Sequence, residues 1–398
     1  MRCNVCAAEL SQPVWRSPSA VSITSLCHVL ARGTEVFFCR ACGHLQTPEL
    51  PDLAAYYDEQ YRILVESEDE DQLYETGPQG KVFRADHQLE TLQDKVRLAK
   101  GANVLDYGCA KGSTLRRLVE LRPDVRPHVF DVSRMYVPFW NRFVRSEDQA
   151  AHDVPVEWTG RFDLVTSFYS LEHVSDPGSI VVRIRDLLRP GGVFYAIVPD
   201  TYQNVGDFVV ADHVNHFSPQ SFACLLERAG LTVREIDRGA QNSALVAVAE
   251  RSAGGVTAGT SVGAAAGSSD GSSATFETEP VSDLEPRVHE MARYWSTYGD
   301  SVRRFEREHV GRPAAIYGSG FYGTFLATCL EDRSRVAAFL DQNPFRQGQT
   351  LLEKPVVAPD QLPRDVELVY VGLNPRVARA EMRKLAEWPG RELATWYP

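Results

Sequence analysis

The chain has 398 residues, a formal net charge of −11 and 43% hydrophobic content. That length suggests two or three domains, and the acidic balance opposes phosphate-backbone binding, which needs clustered Lys and Arg, so no nucleic-acid partner is expected. No apolar run approaches the ~20 residues that span a bilayer, the opening Met-Arg-Cys-Asn lacks a signal-peptide core, and eight cysteines in so long a chain do not read as a secreted disulfide scaffold; a cytoplasmic protein with no membrane partner is the expectation.

Two Cys-x2-Cys pairs, Cys3/Cys6 and Cys39/Cys42, come first in the chain. A zinc-thiolate site needs four soft donors at tetrahedral geometry, and each such loop supplies two sulfurs. The wide separation of the pairs leaves Cys27, His28 and His44 as substitutes for one ligand. Four thiolates leave no position open for water, so a structural zinc is expected. Cys109, Cys224 and Cys329 read as packing residues.

Strand-like runs then alternate with helical ones: 103–106, 128–132, 162–167 and 193–198. This alternation predicts βαβ units and a parallel sheet. Ser252 to Thr275 is almost entirely Gly, Ala, Ser and Thr and reads as a flexible linker. Beyond it, Asp283 to His309 predicts one or two amphipathic helices, with Leu284, Val288, Met291, Trp295, Val302 and Phe305 on the apolar side. A further βα series follows, with strands near 314–317, 336–340 and 367–371.

The turn Asp106-Tyr-Gly-Cys-Ala-Lys-Gly112 joins a strand end to a helix start. Gly108 and Gly112 let the backbone approach a ligand, and Asp106 suits a cationic amine better than a pyrophosphate. An acid just before the turn favours S-adenosylmethionine over a dinucleotide, whose phosphates want free helix-terminal amides. Asp131, at the end of the next strand, stands near the ~20-residue spacing of a ribose-binding acid, followed by Ser133. Ala110 replaces the middle glycine of the familiar Asp-x-Gly-x-Gly-x-Gly pattern.

Combined with Phe162-Asp-Leu-Val-Thr-Ser-Phe168-Tyr-Ser-Leu-Glu172-His173-Val-Ser-Asp-Pro177 and Leu188-Arg-Pro-Gly-Gly-Val-Phe-Tyr-Ala-Ile-Val-Pro199, this turn resembles the motifs of class I S-adenosylmethionine-dependent methyltransferases over roughly residues 100 to 250. The resemblance implies a doubly wound sheet with the cofactor at the carboxyl ends of its strands, near Asp106, Gly108, Gly112, Asp131, Ser133 and Phe168. Glu172 and His173 are expected to shape the cofactor pocket.

The order of the whole chain resembles the three-domain sugar C-methyltransferases of deoxysugar pathways. Cys39-Arg-Ala-Cys-Gly-His-Leu-Gln46 with Tyr56, Tyr57 and Tyr61 resembles the exit of their zinc module. Ile316-Tyr-Gly-Ser-Gly-Phe-Tyr-Gly323, Phe339-Leu-Asp-Gln-Asn-Pro344, Pro355-Val-Val-Ala-Pro359 and Val371-Gly-Leu-Asn-Pro375 resemble their C-terminal domain. The fold expected is α/β: a zinc-binding module over 1–75, a central doubly wound methyltransferase domain over 76–251, a linker over 252–282, and a helical connection with a Rossmann-like domain over 283–398.

The resemblance also implies a catalytic base within a Tyr-His-Glu-His segment. Here the matching stretch is Val210-Ala-Asp212-His213, so His213 is kept, Asp212 replaces Glu, and the Tyr and first His are lost. Near-neutral imidazole chemistry suits proton removal, and Asp212, Asn215 and His216 are expected to orient His213 or bind an oxyanion. Ser218 and Pro219 also read as the start of a helix. The expected reaction is C-methylation of a nucleotide-linked ketosugar, with O- or N-methylation of a sugar or natural product as the alternative. A dinucleotide oxidoreductase using Gly318–Gly323 and Asp341 is a third reading, weakened by the want of a hydride-transfer constellation. A scaffold that no longer turns over is a fourth, opposed by intact Asp106, Gly108, Gly112 and Asp131.

Overall fold

The computed structural model describes residues 1–51, 62–77, 80–253, 278–385, 388 and 391–398. Tyr56, Tyr57, Tyr61 and most of the expected linker lie outside the described residues. Among the described residues no helix is long and apolar enough to cross a membrane.

The N-terminal segment forms an antiparallel sheet of β1 (Pro13–Arg16), β2 (Glu35–Phe38) and β3 (Leu45–Gln46). Its two cysteine loops fold alike. In each, the amide four residues past the first Cys returns to that Cys carbonyl, Ala7 N to Cys3 O at 2.9 Å and Gly43 N to Cys39 O at 2.8 Å. Both returning residues are left-handed, at φ 64° and 74°.

The central sheet contains β4 (Asn103–Tyr107), β5 (Arg126–Asp131), β6 (Gln149–Ala151), β7 (Phe162–Phe168) and β8 (Leu188–Pro199). After them, β9 (Asn215–His216) leaves this sheet and pairs with β3. The sheet is completed by β10 (Leu231–Asp237) and β11 (Ala244–Arg251), in the order β6-β5-β4-β7-β8-β11-β10. All neighbours up to β8 are parallel, whereas β11 runs antiparallel to both β8 and β10.

Successive strand residues serve opposite faces, as the period of two requires. Val104, Leu164, Tyr195 and Val246 meet Leu89 and Leu92 of α1 (Arg84–Lys95) and Leu115 and Leu118 of α2 (Ser113–Leu121). Leu105, Val165, Phe194 and Leu245 meet Val181 and Ile184 of α3 (Pro177–Leu187) and Phe222 and Leu226 of α4 (Pro219–Arg228). Covering on both faces explains the unbroken apolar runs of these strands. Ser218 caps α4 by accepting from Ser221 N, with Pro219 at the first position.

One helix rather than two follows: α5 (Val281–Glu308), 28 residues long. It buries Leu284, Val288, Met291, Trp295, Tyr298 and Val302 in a core shared with Trp15, Val36 and Phe38 of the N-terminal sheet and Ile316, Leu326 and Tyr370 of the C-terminal one. Trp295 Nε1 also donates to Val205 O at 2.8 Å. This helix therefore ties all three layers around a common space.

The C-terminal sheet contains β12 (Ala314–Tyr317), β13 (Val336–Leu340), β14 (Thr350–Leu351), β15 (Lys354–Val357), β16 (Leu368–Val371) and β17 (Ala394–Trp396), ordered β14-β15-β13-β12-β16-β17. Only the β14–β15 pair is antiparallel. After β12, α6 (Phe321–Cys329) starts at the second glycine-rich turn.

Candidate active site

A cavity of about 1670 Å³ lies at the carboxyl ends of β4, β5 and β7 and is lined also by Gly320, Phe321 and Tyr322 at the C-terminal turn. Single-ligand pockets run ~300–1,000 Å³, so this space accommodates a cofactor and an acceptor together. Asp106, Gly108, Gly112, Asp131, Ser133, Phe168 and His213 all line it.

The glycine turn is shaped by close approach. Gly108 has φ 72°, and a Cβ there would lie 2.3 Å from Ser170 Oγ. Ala110, in the place of the missing glycine, is itself left-handed at φ 47°, a conformation unfavourable for an L side chain. Asp131 holds it there: Oδ2 accepts from Ala110 N at 2.8 Å, while Oδ1 accepts from Ser133 N at 3.0 Å. Ser133 Oγ accepts from Met135 N, so its hydroxyl oxygen caps the following turn.

Asp106 Oδ1 accepts from Thr166 Oγ1 at 2.9 Å, and burial pushes the acid up to about 7 with help from Asp131. A cationic amine beside it would restore the carboxylate, which fits the amino-acid end of S-adenosylmethionine. Phe168 packs its ring against Tyr195 at the end of β7. Lys111, not singled out from the sequence, lines the cavity with its ammonium committed to backbone carbonyls. Its ammonium donates to Ser67 O, Glu68 O and Glu70 O at 2.9, 2.9 and 2.5 Å, clamping the 66–70 segment over the cofactor turn.

At the other end of the cavity, His213 Nδ1 lies 2.5 Å from Asp207 Oδ1. The orienting acid is therefore Asp207, not Asp212. Asp212 accepts instead from Ser25 N at 2.6 Å and Ser25 Oγ at 2.7 Å, and lies 3.7 Å from His173 Nδ1. His216 does not reach the cavity wall; its Nδ1 meets Asp207 Oδ2 at 3.1 Å and its Nε2 meets Thr47 Oγ1 at 2.8 Å. Asn215 is not an oxyanion donor either. Its amide donates to Leu171 O and Val174 O, and its Oδ1 accepts from Asn4. The cause is β9: pairing with β3 turns residues 215 and 216 toward the N-terminal layer.

Electrostatics follow from this network. Burial works to lower His213, but the hydrogen bond and charge of Asp207, then Asp212 and Glu172, push it up to about 9. Burial raises Asp207, yet His216 and His213 on either side hold it well below the usual carboxylate range. Burial and the charge of His213 push His173 down to about 4. Glu172 is pushed up to about 8 by burial.

The four cysteine sulfurs lie within 4.8 Å of one another, with Cys3–Cys42 at 3.6 Å and Cys6–Cys39 at 3.5 Å. Tetrahedral zinc with Zn–S of ~2.3 Å sets sulfurs ~3.8 Å apart, so the donors fit that ion. His44 is not among them: its Nε2 faces Asn215 Oδ1 at 3.2 Å. Nor is Cys27, whose sulfur approaches Ser319 O, nor His28, which lines the cavity.

The C-terminal turn repeats the arrangement of the first. Asp341 Oδ2 accepts from Ser319 N at 3.0 Å and Oδ1 from Asn343 N at 2.9 Å. Gly318 and Gly323 are demanded by packing, since a Cβ on Gly323 would stand 1.9 Å from Gly318 O. Gly320, Asp341 and Arg346 face the same cavity.

Residues 83–236 match the family model described as a methyltransferase domain. Similar proteins include the ubiquinone biosynthesis O-methyltransferase of Xanthomonas euvesicatoria pv. vesicatoria (strain 85-10), 34% identical over 112 residues, which cover 27% of this chain and 46% of that protein. The protein of the same description from Xanthomonas campestris pv. campestris (strain B100) is 34% identical over 100 residues, 24% of this chain and 42% of its own. The chain thus spans less than half the length of either relative. A solved S-adenosylmethionine-dependent methyltransferase from Mesorhizobium loti is 14% identical with a TM-score of 0.35, covering 42% of this chain and 98% of that one. With the family match lying over the cofactor turn and the sheet that carries it, residues 83–236 are a class I S-adenosylmethionine-dependent methyltransferase domain.

Proposed function

We propose that the chain methylates a small-molecule acceptor, at a carbon beside a ketone of a nucleotide-linked deoxysugar, with His213 as the base. The observation that carries this reading is the Asp207–His213 pair facing the same cavity as Asp106 and Asp131. S-adenosylmethionine, when bound, supplies an electrophilic methyl group. Asp106 would hold its amine, Asp131 its ribose hydroxyls, and Gly108 and Gly112 would let the backbone pass beside it. His213, fixed through Nδ1, presents Nε2 to take the proton that the neighbouring carbonyl acidifies. Gly320 and Arg346 of the C-terminal turn offer a polar wall for the nucleotide, and a zinc on Cys3, Cys6, Cys39 and Cys42 would hold the fold without taking part in chemistry.

The relatives' description as O-methyltransferases supports a second reading, in which the same base deprotonates a hydroxyl. Incubating the protein with a nucleotide-linked 4-keto-6-deoxyhexose in deuterium oxide, without methyl donor, separates the two. C-methylation predicts exchange at the carbon beside the ketone, lost in His213→Asn. No exchange, with the methyl located on oxygen by mass spectrometry, would replace the first reading by the second.

A further inference from the structure

Glu172 stands apart from the other buried acids around the cavity. Asp207 is engaged by His213, His216 and Thr201, Asp212 by Ser25, Asp106 by Thr166, and Asp131 by two backbone amides. Glu172 is 1% exposed, lines the cavity, and its Oε2 has no hydrogen-bond partner among the described residues. Buried polar side-chain atoms are mostly satisfied, and one that is not calls for an explanation: an ordered water, an ion, a ligand or a chemical role.

Its position comes from the 3-10 turn Leu171–His173, which follows directly on the strand that carries Phe168 into the cofactor site. That turn brings the donor atoms of Glu172, His173 and His213 within 4.8 Å of one another. The charged and titratable groups facing Glu172 are His213 and Arg84, which favour its carboxylate, Asp207, which opposes it, and Tyr169; His173 and Asp212 complete the surroundings of His213. Burial dominates, so at neutral pH Glu172 carries its proton and is a donor.

We propose that Glu172, as a neutral carboxylic acid, donates a hydrogen bond to the acceptor oxygen on which charge develops while His213 takes the proton. This rests on the methyl-transfer reading and narrows it to acceptors that carry a carbonyl oxygen beside the methylated atom. The C–H bond breaks with its proton passing to His213 Nε2 and its electron pair delocalising onto the carbonyl oxygen, where the Glu172 O–H meets it. That pair then forms the new carbon–carbon bond as the sulfur–methyl bond breaks with its electrons to sulfur. Glu172 keeps its proton throughout. For a hydroxyl acceptor the same donor would blunt the oxygen that must attack, so Glu172 selects carbonyl chemistry.

Two measurements on the full chain test this. Difference infrared spectroscopy of wild type against Glu172→Gln at pH 7 should show a carboxylic acid carbonyl band lost in the variant; a carboxylate band in its place overturns the proposal whatever the substrate. With S-adenosylmethionine and the 4-keto-6-deoxyhexose nucleotide, Glu172→Ala should lower kcat about 10²–10³-fold, the range for loss of one oxyanion donor. Cofactor affinity should be kept. Glu172→Gln retains an N–H donor and should recover most of that loss. Equal impairment of both variants, with wild-type activity removed by EDTA and restored by magnesium or manganese, would make Glu172 a metal ligand and overturn the donor role. An unimpaired Glu172→Ala overturns it as well. If wild type neither exchanges nor methylates the ketosugar, the methyl-transfer reading fails for that class, while the infrared band still decides the protonation of Glu172.

Discussion

The Tyr322 hydroxyl of α6 accepts a hydrogen bond from the Gly206 amide at 2.6 Å and donates to Asn204 Oδ1 at 2.8 Å. The C-terminal layer thereby grips the loop one residue ahead of Asp207, the acid that orients His213. Gly206 makes the contact fit, because a Cβ there would stand 2.6 Å from Tyr322 Cζ. Tyr322→Phe leaves a buried amide without its acceptor, so unfolding free energy should fall by ~1–3 kcal/mol. Turnover should fall too, with cofactor affinity kept, since this loop carries Asp207 and not the glycine turn. Denaturant melts, calorimetry and kcat check all three; unaltered turnover would mean that other contacts suffice to hold the loop.

The pH profile follows from His213 and Glu172 as a coupled pair, whose apparent values belong to both groups. With His213 pushed up to about 9 and Glu172 up to about 8, the cluster at pH 7 holds one proton too many for a base. Losing one proton gives a state in which ionised Glu172 beside charged His213 predominates and the working form, neutral His213 with protonated Glu172, is the minor tautomer; losing the second proton removes the Glu172 donor. Turnover should rise above pH 7, peak between the two steps and fall beyond them. Glu172→Gln should abolish the falling limb. The stability contribution of His213 has the opposite sense: its folded value lies above the unfolded one, so the contribution is complete below pH ~6.5 and is lost as pH rises through about 9.

Asp131→Ala removes both the proposed ribose acceptor and the anchor of left-handed Ala110. Cofactor affinity should weaken by ~1.5–3 kcal/mol, the scale of a hydrogen bond to a charged group, and possession of an intact fold can be checked by circular dichroism. Titration calorimetry with S-adenosylhomocysteine reads the effect, and undiminished affinity would put the ribose elsewhere.

For the cysteine cluster, elemental analysis of purified protein should find one zinc per chain, lost in Cys39→Ser/Cys42→Ser. Because Cys3, Cys39 and Cys42 belong to the same buried cluster as Phe217 and Phe222, removing the metal should also lower the thermal midpoint. Stoichiometric zinc in the double variant would assign the ion to other ligands.

Local pattern was enough for the seven strands named from their apolar runs, though not for the N-terminal sheet or the antiparallel strands 231–237 and 244–251, and for the two glycine turns with their acids, the cysteine loops and the helix cap at Ser218. Each depends on residues close in sequence: alternation along a strand, a glycine that relieves a steric clash, an oxygen within reach of the next turn. Residues 314–317 and 336–340, for example, are strands with the bounds their apolar runs suggest. His213 was singled out by the resemblance of residues 210–213 and does line the cavity, but its hydrogen-bond partner was not legible. Asp212 is its neighbour in sequence, yet a two-residue strand paired with β3 and a serine from residue 25 draw the local chain and the Asp212 carboxylate elsewhere, leaving Asp207 to face the imidazole. Lys111, Tyr322 and the unsatisfied Glu172 acquired their roles in the same way, from groups tens to more than a hundred residues distant or from burial that only the assembled layers create. Sequence periodicity reports which side of an element is apolar; which polar group meets which across layers is decided by the packing of those layers, and that packing is what pairs His213 with Asp207.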